Sequence, residues 1–285
     1  SHDARNKDDI QLIYQVNVQL GAELEKNLLA SHSVICRPAP DTRYQFVTMA
    51  ESVFPNKVQQ RPIVVGFGPC GILSGLLLAQ MGLRPIVLER GSNVRQRTKD
   101  TWGFWRKSQL KAESNVQFGE GGAGTFSDGK LYSQIKDKRH LGRKVLDEFV
   151  KAGAPPEILF LSKPHIGTFK LVTMVERMRA EIISLGGEIH FDAKVALLLH
   201  EPSTDCESNH RDALTPAEVN DNIVRQVTGV CLADGTTLNS RHIVMAMGHS
   251  ARDTFAMLLE QGVYIEPKPF SIGFRIEHPQ SVIDS

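Results

Sequence analysis

Cysteine is scarce and scattered. The 285 residues hold four, Cys36, Cys70, Cys206 and Cys231, and no CxxC or comparable close pair. That spacing removes a cysteine-based zinc site and a redox-active disulfide as default readings, so no metal is expected. Free thiols fit a reducing compartment. Charge of one sign is also missing: 33 basic against 32 acidic side chains leave a net charge of +1. A surface built for nucleic acid or an anionic membrane would carry an excess, so neither partner is expected. No apolar run approaches the roughly 20 residues of a membrane helix. The opening "SHDARNKDDIQ" is too polar for a signal peptide. A cytoplasmic location is the simplest expectation. What remains is ordinary globular chemistry, 41% hydrophobic and 23% charged, enough for a sizeable core.

The first sixty residues read as a small N-terminal α/β cap. In "IQLIYQVNVQL" the side chains Ile10, Leu12, Tyr14, Val16, Val18 and Leu20 alternate with mostly polar ones, the pattern of a strand with one buried face. "RYQFV" at 43–47 predicts a second strand, and the proline-flanked "FPNKVQQRP" at 54–62 a linker. From residue 61 the pattern becomes βαβ: "IVVGF", the helix "ILSGLLLAQMG", then "RPIVLERG". Two further helices follow. One carries Val145, Leu146, Phe149 and Val150 on one face; the other carries Leu171, Met174, Val175, Met178 and Ile182, with Gly186 placed as its C-cap. "EIHFDAKVALLLH", "IVRQVTGVCLADGTTL" with an Asp234-Gly235 turn, and "RHIVMAMG" read as strands, and 201–222 as a surface excursion between them.

Gly66, Gly68 and Gly71 form G-x-G-x-x-G between a strand and a helix, extended by Gly75 and Gly82. The first glycine permits a tight turn, the second lets backbone approach a pyrophosphate, and Gly71 and Gly75 let the helix pack closely. An anion at the helix start near Pro69 gains about 0.3–1 kcal/mol when exposed and up to ~2 when partly buried. Glu89 ends the next strand eighteen residues after Gly71. Its carboxylate suits a ribose 2′-OH and repels a 2′-phosphate, which disfavours NADP here. Arg90 beside it is a candidate cofactor contact, although that position is more often turned to solvent. Such a unit binds the ADP half that FAD and NAD share, and it does not separate them.

A second glycine cluster, "FGEGGAGTFSDGKL" at 118–131, offers bare backbone to a flat ligand or a phosphate. Taken with "VLERG", "KPHIGT" and "PFSIGFRIEHPQ", it makes the chain resemble the uncharacterised bacterial FAD-dependent dehydrogenases, two-dinucleotide-binding-domain flavoproteins related to the glutathione reductase class. The resemblance spans nearly the whole chain. It implies an α/β fold: an FAD/NAD(P)-binding Rossmann-like domain with a β-meander, the N-terminal cap and the beginning of a substrate domain. The units expected are 1–60 (cap), 61–134 and 168–256 (FAD-binding domain), 135–167 (helical insertion) and 257–285 (start of a substrate domain). Because family members continue further, a fragment of a longer chain is expected. The resemblance also implies that Gly66, Gly68, Pro69, Cys70 and Gly71 line the FAD pyrophosphate and that Glu89 holds the ribose. Gly121, Gly122, Ala123, Gly124 and Thr125 would lie along the flavin or its ribityl chain, Val195 would meet adenine through its backbone, and Gly248 would return the chain to the cofactor.

The flavin itself exchanges the hydride in such enzymes, so a missing triad is no objection. His165 in "SKPHIGT" is the candidate proton relay, set against the plainer reading of a loop histidine. Cys70 reads as a covered packing residue, and Trp102 with Trp105 as a buried helix face. The run Lys136, Lys138, Arg139, Arg143 and Lys144 reads as a solvated helix start. The expected function is an FAD-dependent oxidoreductase acting on a small-molecule donor, with NAD(P)H a candidate. The alternatives are an NAD-dependent dehydrogenase without flavin, a flavin-bound RNA-modifying or RNA-binding protein, and a non-catalytic nucleotide-binding scaffold.

Overall fold

Alternation alone does not make a strand of residues 10–20. The computed structural model describes residues 2–3, 5, 11–31, 36–55, 60–131, 135–202, 225–269, 272–273 and 276–283. In it β1 (His2–Asp3) and β2 (Gln11–Leu12) pair antiparallel over two residues each. From Ile13 to Leu20 the backbone has no regular structure, and Tyr14, Val16 and Val18 are exposed; Ile10 lies outside the described residues. A short two-stranded pairing is marginal unless an apolar face packs on something, and neither hydrophobic core includes a residue of this segment. The predicted strand at 43–47 is likewise absent; Tyr44 and Phe46 instead stack edge to face under the Lys144 ammonium. One helix, α1 (Ala22–Ala30), completes the segment, with none of its residues buried.

Beyond it, β3 (Ile63–Val65), α2 (Pro69–Gln80) and β4 (Ile86–Leu88) form the expected βαβ unit, its strands parallel. Next come α3 (Val94–Lys107), a 3₁₀ turn at Ala123–Phe126, α4 (Leu141–Lys151), a 3₁₀ turn at Pro156–Leu159, and α5 (Thr168–Ser184). Then β5 (Glu188–His190) joins the parallel sheet, β6 (Val195–Pro202), β7 (Arg225–Leu232) and β8 (Thr237–Asn239) form an antiparallel meander, and β9 (Ile243–Met245) returns to the sheet. α6 (Arg252–Glu260) and the short α7 (Gln280–Ile283) follow. The excursion at 201–222, Cys206 with it, falls almost wholly outside the described residues.

The parallel sheet has the order β5-β4-β3-β9 and is covered on both faces. Its strands are therefore apolar throughout rather than alternating. Val64 and Val87 turn toward the helices, where Leu171, Met174, Val175, Met178 and Ile182 of α5 present the predicted stripe, all buried. Ile63, Val65 and Leu88 face the meander, against Ala193, Val195 and Val230. Three layers result: helices, parallel sheet, meander. The Gln261 side-chain amide ties α6 to β6, accepting from Leu198 N–H and donating to Leu198 C=O at 3.1 and 2.9 Å.

Candidate functional site

The strand order switches sides at β3, with every strand of the sheet parallel. β4 and β9 lie on its two sides, and the crevice beyond the carboxyl ends of these strands is where open α/β sheets take ligands. A cavity of about 480 Å³ occupies that crevice, a size ordinary for a small-molecule site. Gly66, Gly68, Pro69 and Cys70 form one side of it. Gly66 makes the turn with φ +100°, and a Cβ there would stand 2.5 Å from the Ala246 carbonyl oxygen, so only glycine fits. Gly68 is the N-cap of α2 and Pro69 its first residue. The first helical hydrogen bond runs from Ile72 N–H to Gly68 C=O. N–H groups ahead of it have no intrahelical partner and face the crevice end of the helix dipole.

The second glycine cluster folds onto this turn. Gly121 N–H donates to Phe67 C=O at 2.8 Å, and a Cβ on Gly122 would come within 3.0 Å of Gly68 Cα. Gly122 holds φ +61°, ψ −166°, a conformation that side chains other than glycine's rarely tolerate. Gly122, Ala123 and Gly124 line the cavity opposite Pro69. Gly121 and Thr125 do not. They stand behind the wall, where Thr125 is buried and its hydroxyl donates to Glu120 C=O at 3.3 Å. Gly71 also lies behind the lining, in the place where a Cβ would run into the Gly66 carbonyl.

Glu89 lines the cavity and is buried. Its Oε2 accepts from Phe67 N–H at 2.7 Å, and its Oε1 accepts from Gly91 and Gly119 N–H at 2.8 and 3.0 Å. One carboxylate thus ties the glycine turn, the end of β4 and the second glycine cluster together. Val195 and Gly248 line the far side, with Met247, His249 and Ser250. His165 is elsewhere: exposed, bridged to Lys130 in a short antiparallel contact, and outside the lining. Cys70 is exposed at the cavity edge, not covered. Trp102 and Trp105 are 46% and 53% exposed and stack edge to face at 5.4 Å, so the C-terminal end of α3 that carries them meets solvent, contrary to the expectation of a buried face.

No family model matches the chain. It is 41% identical over 287 residues to an uncharacterized protein of Clostridium beijerinckii, covering all of this chain and 48% of that one. The chain therefore spans about half the length of the curated relative it matches. Among solved structures it is similar to Thermovibrio ammonificans THI4, at 16% identity over 73% of this chain and 64% of that chain, TM-score 0.44. It is also similar to L-amino acid deaminase from Proteus vulgaris (15% identity, 71% and 50% covered, TM-score 0.37). Glycine oxidase from Bacillus cereus is a third (13%, 72% and 59%, TM-score 0.33). These likenesses are distant.

Several residues that build the cavity are not the ones the motifs point to. Arg97 of α3 has no exposed surface. Its guanidinium donates to the carbonyls of Asn115, Val116, Glu120 and Gly122, each at 2.7 Å, and to Thr125 Oγ1 at 3.3 Å. Residues 115–125 wrap around it, and Gln117, Phe118, Gly119 and Gly122–Gly124 of that wrap line the cavity. Burial lowers the Arg97 pKa to about 10 against the pull of Glu89 and Glu120, which leaves it cationic at neutral pH. Glu120 is fully buried; its Oε2 accepts from Val94 N–H at 2.7 Å and pairs with Arg179 at 2.8 Å. Its Oε1 has no partner among the described residues, and burial raises its pKa.

Arg90, the candidate cofactor contact beside Glu89, has a side chain only 13% exposed and lines the cavity rather than facing solvent. It forks onto Asp253 at 2.9 and 2.8 Å, donates from Nε to Glu113 at 2.6 Å, and lies 4.1 Å over the Phe118 ring. Lys194 joins the same two carboxylates, at 3.0 Å to Glu113 and 2.7 Å to Asp253. Among the described residues no cluster of His, Cys, Asp or Glu could hold a metal, and no helix is long and apolar enough to cross a membrane.

Proposed function

We propose that this cavity binds the ADP half of FAD and that the protein acts as an FAD-dependent oxidoreductase. The observation that carries the reading is one juxtaposition. The start of α2, the bare backbone of Gly122–Gly124 and the Glu89 carboxylate all line a single crevice at the switch point of a parallel sheet. Gly66, Gly68, Gly122 and Gly124 border the cavity with backbone alone, which leaves the close approach a diphosphate needs, so the residues fit the group.

On this reading Gly66, Gly68, Pro69 and Cys70 present backbone and helix dipole to the pyrophosphate. Glu89, already oriented by three N–H donors, turns its remaining acceptor capacity to the ribose hydroxyls. Val195 and Gly248 close the adenosine end, and Gly122–Gly124 extend the wall away from it. When bound, flavin supplies hydride acceptance from a small-molecule donor. The chain's part is to bind, orient and exclude water. His165, exposed and outside the lining, is assigned no role at this cavity. The resemblance to FAD-dependent dehydrogenases favours FAD over NAD.

The test is purification of the full chain, absorbance spectroscopy, and mass identification of whatever nucleotide is released on denaturation. Flavin bands with FAD released support the proposal. A colourless protein that releases NAD, or binds NAD and not FAD on titration, replaces it with the flavin-free dehydrogenase.

A further inference from the structure

Two cations line the cavity beside Glu89, and both are already committed. Arg90 and Lys194 alternate with Glu113 and Asp253 in a closed ring of four charges, with contacts of 2.6–3.0 Å on every side. The four residues come from the end of β4, the loop after α3, the approach to β6 and the start of α6, so the ring also fastens α6 over the adenosine end. We propose that this ring determines which adenosine the cavity takes: by holding Arg90 and Lys194 on carboxylates, it withholds the cations that a 2′-phosphate would need, and it restricts the site to dinucleotides with an unphosphorylated ribose.

The inference rests on the dinucleotide reading above and adds the residues that set its specificity. Arg90 follows Glu89 directly, and Arg or Lys near that carboxylate is what accommodates a 2′-phosphate in such folds. A phosphate carrying about −1.5 to −2 charge would have to displace Asp253 or Glu113 from Arg90. It would then meet three carboxylates, Glu89 among them, against two cations. Arg90 has little freedom to swing out, being forked at both ends and seated on Phe118. Glu89 alone repels the 2′-phosphate in the usual scheme. Here the ring adds a second barrier, and this one can be removed while Glu89 stays in place.

The experiment uses the full chain freed of co-purified nucleotide and calorimetric titration with two probes, ADP-ribose and 2′-phospho-ADP-ribose. Wild type is expected to bind ADP-ribose at least tenfold tighter. Asp253→Asn and Glu113→Gln should each narrow that ratio at least threefold by improving the 2′-phosphorylated probe, with ADP-ribose affinity changed less. The two carboxylates are 44% and 42% exposed, so two independent variants are available should one fold poorly. Equal affinity of wild type for both probes overturns the inference and leaves the dinucleotide reading standing. An unchanged ratio in folded variants also overturns it and returns the discrimination to Glu89. Binding of neither probe removes the dinucleotide reading and the inference with it.

Discussion

Replacing Arg97 with methionine keeps much of the side-chain volume and removes every donor. Four carbonyls and one hydroxyl then lose a charged partner. A hydrogen bond to a charged group contributes about 1.5–3 kcal/mol, yet these five share one guanidinium and do not add. Asn115, Val116 and Gly122 carbonyls are only part-buried and regain water, whereas the Glu120 carbonyl is buried and does not. Glu120 and Glu89 also lose a nearby positive charge. Removing one member of a buried charged arrangement costs about 3–5 kcal/mol, and that is the expected destabilisation. With typical domain stabilities of about 5–15 kcal/mol, the variant should still fold at low temperature. In urea titrations followed by circular dichroism its midpoint should fall by about 1–2 M. Arg97→Lys should recover only a minor part, since an ammonium is one point charge where the loop is shaped to a planar fork. The two variants should also bind ADP-ribose more weakly in proportion to how far the 115–125 wrap loosens. A stability loss below about 1 kcal/mol for Arg97→Met, or full recovery by lysine, would refute the claim that the cavity wall is built on this guanidinium.

Gly122→Ala should cost about 1–3 kcal/mol through its backbone conformation alone. Its Cβ, 3.0 Å from Gly68 Cα, should also push the two glycine segments apart, so flavin or ADP-ribose affinity should drop at least tenfold by titration. The charge ring predicts an acid dependence. Hydrogen bonds from Arg90 hold the Asp253 pKa well below the usual carboxylate range; for Glu113 burial raises it, but Arg90 and Lys194 outweigh that and leave it lowered. Depressed carboxylates contribute stability that is present above the unfolded value, about 4, and is lost as pH falls toward the folded value. The stability gap between wild type and Asp253→Asn should therefore be largest at pH 5–7 and shrink below pH 4; a gap constant with pH contradicts this. Trp102 and Trp105 should be quenched readily by acrylamide in the native state, and a native protein protected as well as a buried indole would contradict their placement.

Local, periodic signals were the legible ones. The βαβ unit, the α5 stripe and the hairpin turn at Asp234-Gly235 each depend on neighbours a few residues apart, and each formed as expected. The N-terminal alternation failed because a period-two pattern says which side chains could share a face and not whether anything covers that face. The tryptophan pair failed for a different reason: Trp105 continues the stripe of Val94, Arg97 and Thr101, but every buried residue of α3 lies between Val94 and Thr101, and the C-terminal end that carries both indoles meets solvent. A signal for Arg97 existed, since Val94, Arg97 and Thr101 fall on one stripe at three- and four-residue steps and all are buried. The stripe points away from burial at that position only because a charged residue is normally assigned to water. Glu113 and Asp253 carried no such signal. Their partners are distant in the chain, and only the folded crevice brings them together.

The position of β9 between β3 and solvent sets an order of events during synthesis. Ile63–Val65 is made early but its second neighbour is Ile243–Met245, and at roughly 5–20 residues per second the ribosome delivers that partner about 8–30 s after β4. For that interval the emerging polypeptide exposes the unpaired edge of β3, the kind of surface that invites mispairing. The crevice floor is also missing its Ala246–Ser250 side until then. On the proposed reading, capture of the ADP half would thereby wait for β9, the last made of the four described strands of this sheet.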